Sequence, residues 1–225
     1  MWCTNKKGEV LRDIILAIPK GRILNELIPL LKKVEIEPEQ EFFDNKSRKL
    51  MFSTNKKNLS IIKVRAFDVA TFVALGAAQI GIAGDDVLNE FDYNEIYNVL
   101  DLGIGKCRLS VAEKNDVKKE NFQNNGHIMV ATKYKNTVIN FFANKGVRAE
   151  CIKLNGAIEL APRLGICSTI VDLVSTGRTL KENNLKESDV LFKITSKLIV
   201  NKISYKIMNS EISKIINKFT RIING

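Results

Sequence analysis

One pattern limits this chain more than any other. Three times a short apolar run stops at a turn of small or charged residues. Ile14-Ile-Leu-Ala-Ile18 runs into Pro19-Lys-Gly-Arg22, and then Leu24, Leu27, Ile28 and Leu31 fall at i, i+3, i+4 and i+7, one face of an amphipathic helix. Ile80-Gly-Ile-Ala83 stops at Gly84-Asp-Asp86, and Ile170 to Val174 runs into Ser175-Thr-Gly177 and a helix beginning near Leu180. Apolar runs this short, with no polar alternation, suit strands buried on both faces. Such strands joined by helices predict a parallel, doubly wound α/β architecture.

The intervening segments extend the alternation. Leu50 to Ser53 and Leu59 to Val64 read as paired strands around the polar turn Asn55 to Asn58. Asp68 is expected to cap a helix reaching Gln79, and Pro29 to kink or weaken the first helix. Arg108 to Ala112, His127 to Thr132, Glu150 to Leu154 and Ser168 to Val174 read as strands, and Leu191 to Val200 as one long strand. Helices are expected over Asn136 to Lys145, around Ile158 to Leu164, and after a capping Ser210, with Ile212, Ile215, Ile216 and Phe219 sharing a face. Glu113 to Asn125 is polar and reads as a surface loop or short helix.

Composition removes several classes of function. With His127 as the only histidine among 225 residues, no site can use two histidines of one chain. Cys3, Cys107, Cys151 and Cys167 are too scattered for a zinc ribbon or a disulfide framework, which fits a reducing, cytoplasmic setting, with Cys107 and Cys167 expected to be buried packing residues. No run approaches the roughly 18 apolar residues of a membrane span, and Met1 to Val10 does not resemble a signal peptide. The formal charge of +10 admits a nucleic-acid surface or an anionic substrate, but the basic residues are dispersed and lack aromatic partners, so no nucleic-acid partner is expected.

The three turns are where chemistry is expected, because ligands of open α/β sheets bind at the carboxyl ends of strands. In Ser175-Thr-Gly-Arg-Thr179 the amides of small residues can converge on one point, with hydroxyls and a helix start adding to an anion site. The same residues also suit an ordinary strand-to-helix turn with a capping threonine. Asp172, just before it, is placed to accept from a sugar diol. Lys20 and Arg22 can clamp a polyphosphate or remain solvated, and the carboxylates of Gly84-Asp-Asp86 can meet a ribose, a base or a metal, or cap a helix.

From about residue 14 to 205 the sequence resembles the short form of the ATP phosphoribosyltransferase family. The resemblance rests on A-I-P-K-G-R (17–22), V-R-A-F-D-V (64–69), G-A-A-Q-I-G-I-A-G-D-D-V-L (76–88), D-L-G-I-G-K-C-R-L-S-V-A (101–112), A-T-K-Y (131–134), K-L-N-G-A-I-E-L-A-P (153–162) and I-V-D-L-V-S-T-G-R-T-L (170–180). It implies transfer of a phosphoribosyl group from phosphoribosyl pyrophosphate to N1 of ATP, with Mg²⁺, in the first step of histidine biosynthesis. Ser175, Thr176, Gly177, Arg178 and Thr179 would hold the ribose 5-phosphate, Asp172 the ribose hydroxyls, and Glu159 the same region. Lys20, Gly21, Arg22 and Arg48 would face ATP or pyrophosphate, with Asp86 on the nucleotide side.

The implied fold is two α/β lobes with mixed, mostly parallel sheets, like a type II periplasmic binding protein, with the active site in the interlobe cleft. Lobe I is expected over 1–92 and 189–225 and lobe II over 93–188, without a C-terminal regulatory domain. The implied partners are a histidyl-tRNA-synthetase-like regulatory subunit in a hetero-octamer and a second copy of the chain. Ala70 stands where the family usually has proline, Gln79 where it has an acid, and Gly165-Ile-Cys-Ser168 where it has G-L-A-D. A non-catalytic anion- or nucleotide-binding module of the same fold is the rival reading.

Overall fold

The computed structural model describes residues 13–115 and 126–225, and the backbone of residues 3–4 and 10–11. Those short pieces, β1 (Cys3–Thr4) and β2 (Val10–Leu11), pair antiparallel. The chain forms two compact units: Met1–Leu88, Asp92–Gly105 and Thr195–Gly225 make the first, Asn89–Phe91 and Lys106–Ile194 the second. The boundaries differ from the expected 92/93 and 188/189. Residues 96–101 form a strand of the first unit's sheet, and the strand before residue 195 pairs throughout with the second unit.

In the first unit a six-stranded sheet has the order β4-β5-β3-β6-β13-β7, with β3 (Ile14–Pro19), β4 (Met51–Ser53), β5 (Leu59–Val64), β6 (Ile80–Gly84), β7 (Ile96–Asp101) and β13 (Ser196–Asn201). Alternate residues of β3 enter different cores. Ile14, Leu16 and Ile18 pack with Leu27, Leu30 and Leu31 of α1 (Arg22–Lys33) and with Ile212 and Phe219 of the C-terminal helix, α8 (Asn209–Asn224). Ala17 and Ile15 pack on the other face with Val69, Ala70 and Val73 of α2 (Ala66–Ala74). Both faces of β3 are covered, which is why its sequence shows no polar alternation. Helix α2 lies so close to β6 that a Cβ on Gly81 would come within 2.6 Å of Val73 and 2.9 Å of Val69.

The second unit has the order β10-β9-β11-β8-β12, with β8 (Cys107–Lys114), β9 (His127–Thr132), β10 (Arg148–Lys153), β11 (Thr169–Val174) and β12 (Leu185–Ile194), and α4 (Lys135–Ala143) connects β9 to β10. Both sheets are mixed. Parallel pairing is confined to β5-β3-β6 and β10-β9-β11, so it does not predominate in either sheet. Apart from the β4–β5 hairpin, every antiparallel pairing of the two large sheets involves β7, β8, β12 or β13, the strands flanking the changes of unit at Gly105–Lys106 and Ile194–Thr195.

Several local expectations need correction. The segment 191–200 is two strands in different sheets, broken at Thr195. Asp68 lies inside the first turn of α2, behind Arg65, and makes no side-chain cap. That helix ends at Ala74, before Gly76 adopts φ +71°. Helix α1 continues through Pro29 to Lys33. Ser210 is the second residue of α8 and does not cap it. The capping side chain nearby is Asn201, which accepts from the Ser204 N–H at 2.8 Å at the start of α7 (Lys202–Ile207). Glu113 and Lys114 belong to β8, and residues 116–125 of the expected loop lie outside the described residues. Cys167 is buried, but Cys107 is only half-buried. Among the described residues no helix is long and apolar enough to cross a membrane.

Candidate active site

In the first unit, strand direction gathers the sequence-selected cations on one sheet edge. β3 and β6 are neighbouring parallel strands, so Lys20–Arg22 and Gly84–Asp86 emerge at the same carboxyl edge. β4 runs antiparallel to β5, so the segment entering β4, which carries Arg48, lies at that edge too. The Lys20 N–H donates to the Val64 carbonyl at 2.8 Å and Gly21 adopts φ +95°, ψ −146°, a conformation open to glycine, before Leu24 bonds back to its carbonyl. The twelve-residue helix α1 that follows has no acid in its first turn, so its positive end and the exposed Lys20 and Arg22 combine to attract anions. Arg48 is exposed as well.

Lys63, which sequence reasoning passed over, reinforces this edge. Its Nζ donates to the Phe42 carbonyl at 2.6 Å and lies 4.6 and 4.7 Å from the centres of the Phe42 and Phe52 rings. Burial, and then the charge of Lys20, push its pKa down. Asp86 is buried at 7% exposure in the first turn of α3 (Asp85–Phe91), so it is not an open carboxylate. Its neighbour Asp85 accepts from the Thr195 N–H at 3.0 Å and pairs with Lys197 at 3.3 Å, which is structural work.

In the second unit the loop Ser175–Thr179 leaves the carboxyl end of β11 and enters α6 (Arg178–Glu182). Gly177 sits at φ +78°, ψ 3°, where a β-branched side chain is strained, and this left-handed residue curls the loop. The Thr176 hydroxyl accepts weakly from the Arg178 N–H at 3.4 Å. Ser175, Thr176, Arg178 and Thr179 are exposed. Helix α6 has only five residues, so any attraction for an anion here comes from the amides and hydroxyls of the loop more than from a helix dipole. Arg178 pairs with Glu182 at 2.8 Å, a solvated contact of little energetic weight. Asp172 is half-buried on β11, its Oδ1 accepting from the Leu173 N–H at 2.8 Å. Glu159 is half-buried just before the single-turn helix α5 (Leu160–Arg163), which replaces the longer helix expected at 158–164.

Sequence reasoning also missed the side chains behind this loop. Arg108, on β8 opposite Val174, donates from Nη1 to the Ser175 carbonyl at 3.2 Å. Its Nε and Nη2 meet the two carboxylate oxygens of Glu187 on β12, both at 2.6 Å, and the Ser110 hydroxyl donates to the same carboxylate at 2.7 Å. The Arg108 guanidinium holds the Glu187 carboxyl below the usual carboxylate range. The one sequence hint was Arg108 and Ser110 at strand spacing in an otherwise apolar run.

The two units thus carry, on strand-end edges of their own, one cluster of cations and one glycine-curled loop rich in hydroxyls. The family model described as ATP phosphoribosyltransferase matches residues 65–221. The ATP phosphoribosyltransferase of Sphingopyxis alaskensis is 54% identical over 210 residues, 93% of this chain and 94% of that protein. The chain belongs to the ATP phosphoribosyltransferase family.

A solved structure of that family, the ATP phosphoribosyl transferase (HisG:HisZ) complex from Thermotoga maritima, aligns with TM-score 0.80 and 31% identity over 94% of this chain and 98% of that one. The fold extends beyond the family. The periplasmic aliphatic sulphonate binding protein SsuA of Escherichia coli aligns with TM-score 0.59 at 11% identity, over 93% of this chain and 72% of that one, a likeness of fold alone. Two of the three family departures are scaffold positions. Ala70 is fully buried in α2. The Gln79 amide accepts from the Ile15 N–H at 2.8 Å and donates to the Gly76 carbonyl at 3.1 Å, a pair of bonds that an ionised acid could not make.

Proposed function

We propose that this chain transfers the 5-phosphoribosyl group of phosphoribosyl pyrophosphate to N1 of ATP, giving phosphoribosyl-ATP and pyrophosphate, the first step of histidine biosynthesis. Its membership of the ATP phosphoribosyltransferase family carries that reading. In the site reading, Ser175, Thr176, Gly177, Arg178 and Thr179 hold the ribose 5-phosphate, Asp172 the ribose hydroxyls, and Glu159 borders the same region. Lys20, Gly21, Arg22 and Arg48 face the ATP and pyrophosphate oxygens. What supports this division is that the curled loop belongs to one unit and the exposed cations to the other. The burial of Asp86 supports a role in shaping the nucleotide side rather than in direct ligation.

The chemistry asks little of acid–base groups. The N1 lone pair forms a bond to C1 of the sugar as the C1–O bond breaks, and the bonding electrons leave with pyrophosphate. N1 of adenine carries no proton at neutral pH, so no general base is needed. Orientation of two anions and stabilisation of the departing charge are the tasks left to the protein. Lys20, Arg22 and Arg48 supply positive charge to pyrophosphate, while the loop at Ser175–Thr179 anchors the sugar through a phosphate that does not react.

Among the described residues no group of three or more His, Cys, Asp or Glu side chains is placed to hold a metal. Mg²⁺ fits this chain as an ion carried largely by substrate phosphates and water, its usual manner of binding. There it would neutralise the leaving pyrophosphate.

A regulatory subunit is part of the same reading, supported by the Thermotoga maritima complex. Its histidyl-tRNA-synthetase-like character, the hetero-octamer and a homodimer of the catalytic chain rest on the family resemblance. A cytoplasmic location follows from substrates that are polyanions, which a bilayer retains where they are made. The test is to mix the chain and its regulatory partner with ATP, phosphoribosyl pyrophosphate and Mg²⁺ and follow the absorbance of the adduct. Adduct formation is expected, and its absence with the partner present sinks the assignment.

A further inference from the structure

The Ser175 carbonyl is the first backbone oxygen of the candidate phosphate loop, and it is held by a side chain that is itself held. Arg108 reaches it at 3.2 Å from the neighbouring strand. The guanidinium cannot swing away without breaking two 2.6 Å bonds to Glu187, and Glu187 is steadied in turn by Ser110 at 2.7 Å. Arg108 and Glu187 are 33% and 24% exposed at the side chain, shielded enough for the fork to persist. β12 carries two bulges opposite β8, one of them immediately after Glu187, where a regular ladder would continue.

Peptide geometry gives this contact its consequence. In a trans peptide the C=O and the following N–H point in opposite directions. Fixing the Ser175 oxygen toward Arg108 therefore fixes the Thr176 N–H away from it. Released, that peptide could rotate as a unit and withdraw the Thr176 amide from the loop.

We propose that Arg108, clamped by Glu187, is a positioning residue that locks the Ser175–Thr176 peptide so that the Thr176 N–H serves as a phosphate donor. The proposal rests on the reading of Ser175–Thr179 as the sugar-phosphate loop and adds a specific device to it: affinity for the phosphoribosyl substrate is set partly from two strands that need not touch it. Arg108 and Glu187 act as one unit, so disabling either should disable both.

Titration calorimetry on the full chain, with phosphoribosyl pyrophosphate plus Mg²⁺ and separately with ATP, tests this. Glu187→Gln, Arg108→Lys and the double variant should each bind the sugar substrate about tenfold more weakly, the double no worse than the weaker single, with ATP affinity unchanged. The Thr176 amide should also exchange its hydrogen faster in each variant without ligand. Ser110→Ala, milder and well tolerated sterically, should give a smaller loss of the same kind, and a thermal melt of each variant reports folding.

Wild-type affinity in Glu187→Gln and Ser110→Ala overturns the lock. So do additive losses in the double variant, or equal losses for ATP. A loss in Arg108→Lys alone would mean that Arg108 meets the substrate directly, which also overturns it. If the unaltered chain binds no phosphoribosyl pyrophosphate, the underlying reading of the loop fails, and the lock with it.

Discussion

The turn at Lys20–Arg22 in the first unit and the turn at Ser175–Thr179 in the second both follow a parallel strand at its carboxyl end, yet they are held by different means. Behind the first stands a twelve-residue helix whose Leu27, Leu30 and Leu31 are buried in the main core. Behind the second stands a five-residue helix with Leu180 as its buried anchor. The first loop is fixed by apolar packing and a backbone bond from Lys20 to Val64, the second by the polar chain Glu187–Arg108–Ser175. The contrast suits the two tasks proposed for these turns. Long exposed cations can follow a departing, flexible polyphosphate, whereas a nest of amides grips one phosphate in one place.

The largest expected effect breaks the packing side of that comparison. Leu27→Ala should cost about 3 kcal/mol of stability and Leu180→Ala about 2, read by denaturant unfolding. Equal costs would mean the two helices are anchored alike. Next, Gly177→Val places a β-branched residue at φ +78° and should weaken phosphoribosyl pyrophosphate binding about a hundredfold while sparing ATP. A matching loss of ATP affinity would point to general unfolding.

Arg22→Ala should raise the KM for ATP about tenfold and leave sugar-phosphate binding intact, the reverse of the Gly177 result. If it acted on both substrates, the division of labour between the units would be wrong. The smallest effect belongs to the scaffold at the opposite, amino-terminal edge of the same strands. Gln79→Glu removes the donor to the Gly76 carbonyl and should lower stability by about 1 kcal/mol, seen as a drop in Tm at neutral pH without a change in either KM.

Local features of the sequence carried much of the design. The apolar run at 14–18 announced a strand covered on both faces because every one of its residues meets a core, and the order of turns announced the candidate loops because small residues at strand ends follow from backbone sterics. The motif at 170–180 named the family because its loop residues are contiguous in the chain. Capping residues were less legible. Asp68 and Ser210 are good caps in isolation, but the helices begin where packing starts them, at Ala66 and Asn209.

What lay beyond the sequence shares one cause: it depends on partners distant along the chain. The break at Thr195 inside an unbroken β-forming stretch exists because residues on either side pair with different sheets. Arg108 and Glu187 are 79 residues apart, and only the pairing of β8 between β11 and β12 makes them neighbours. The sequence by itself determined the strand–turn–helix grammar and the family, because those are written in contiguous residues. Which backbone amides are held in place, and by which side chains, was decided by the tertiary structure, because strand register alone sets which distant residues share a face.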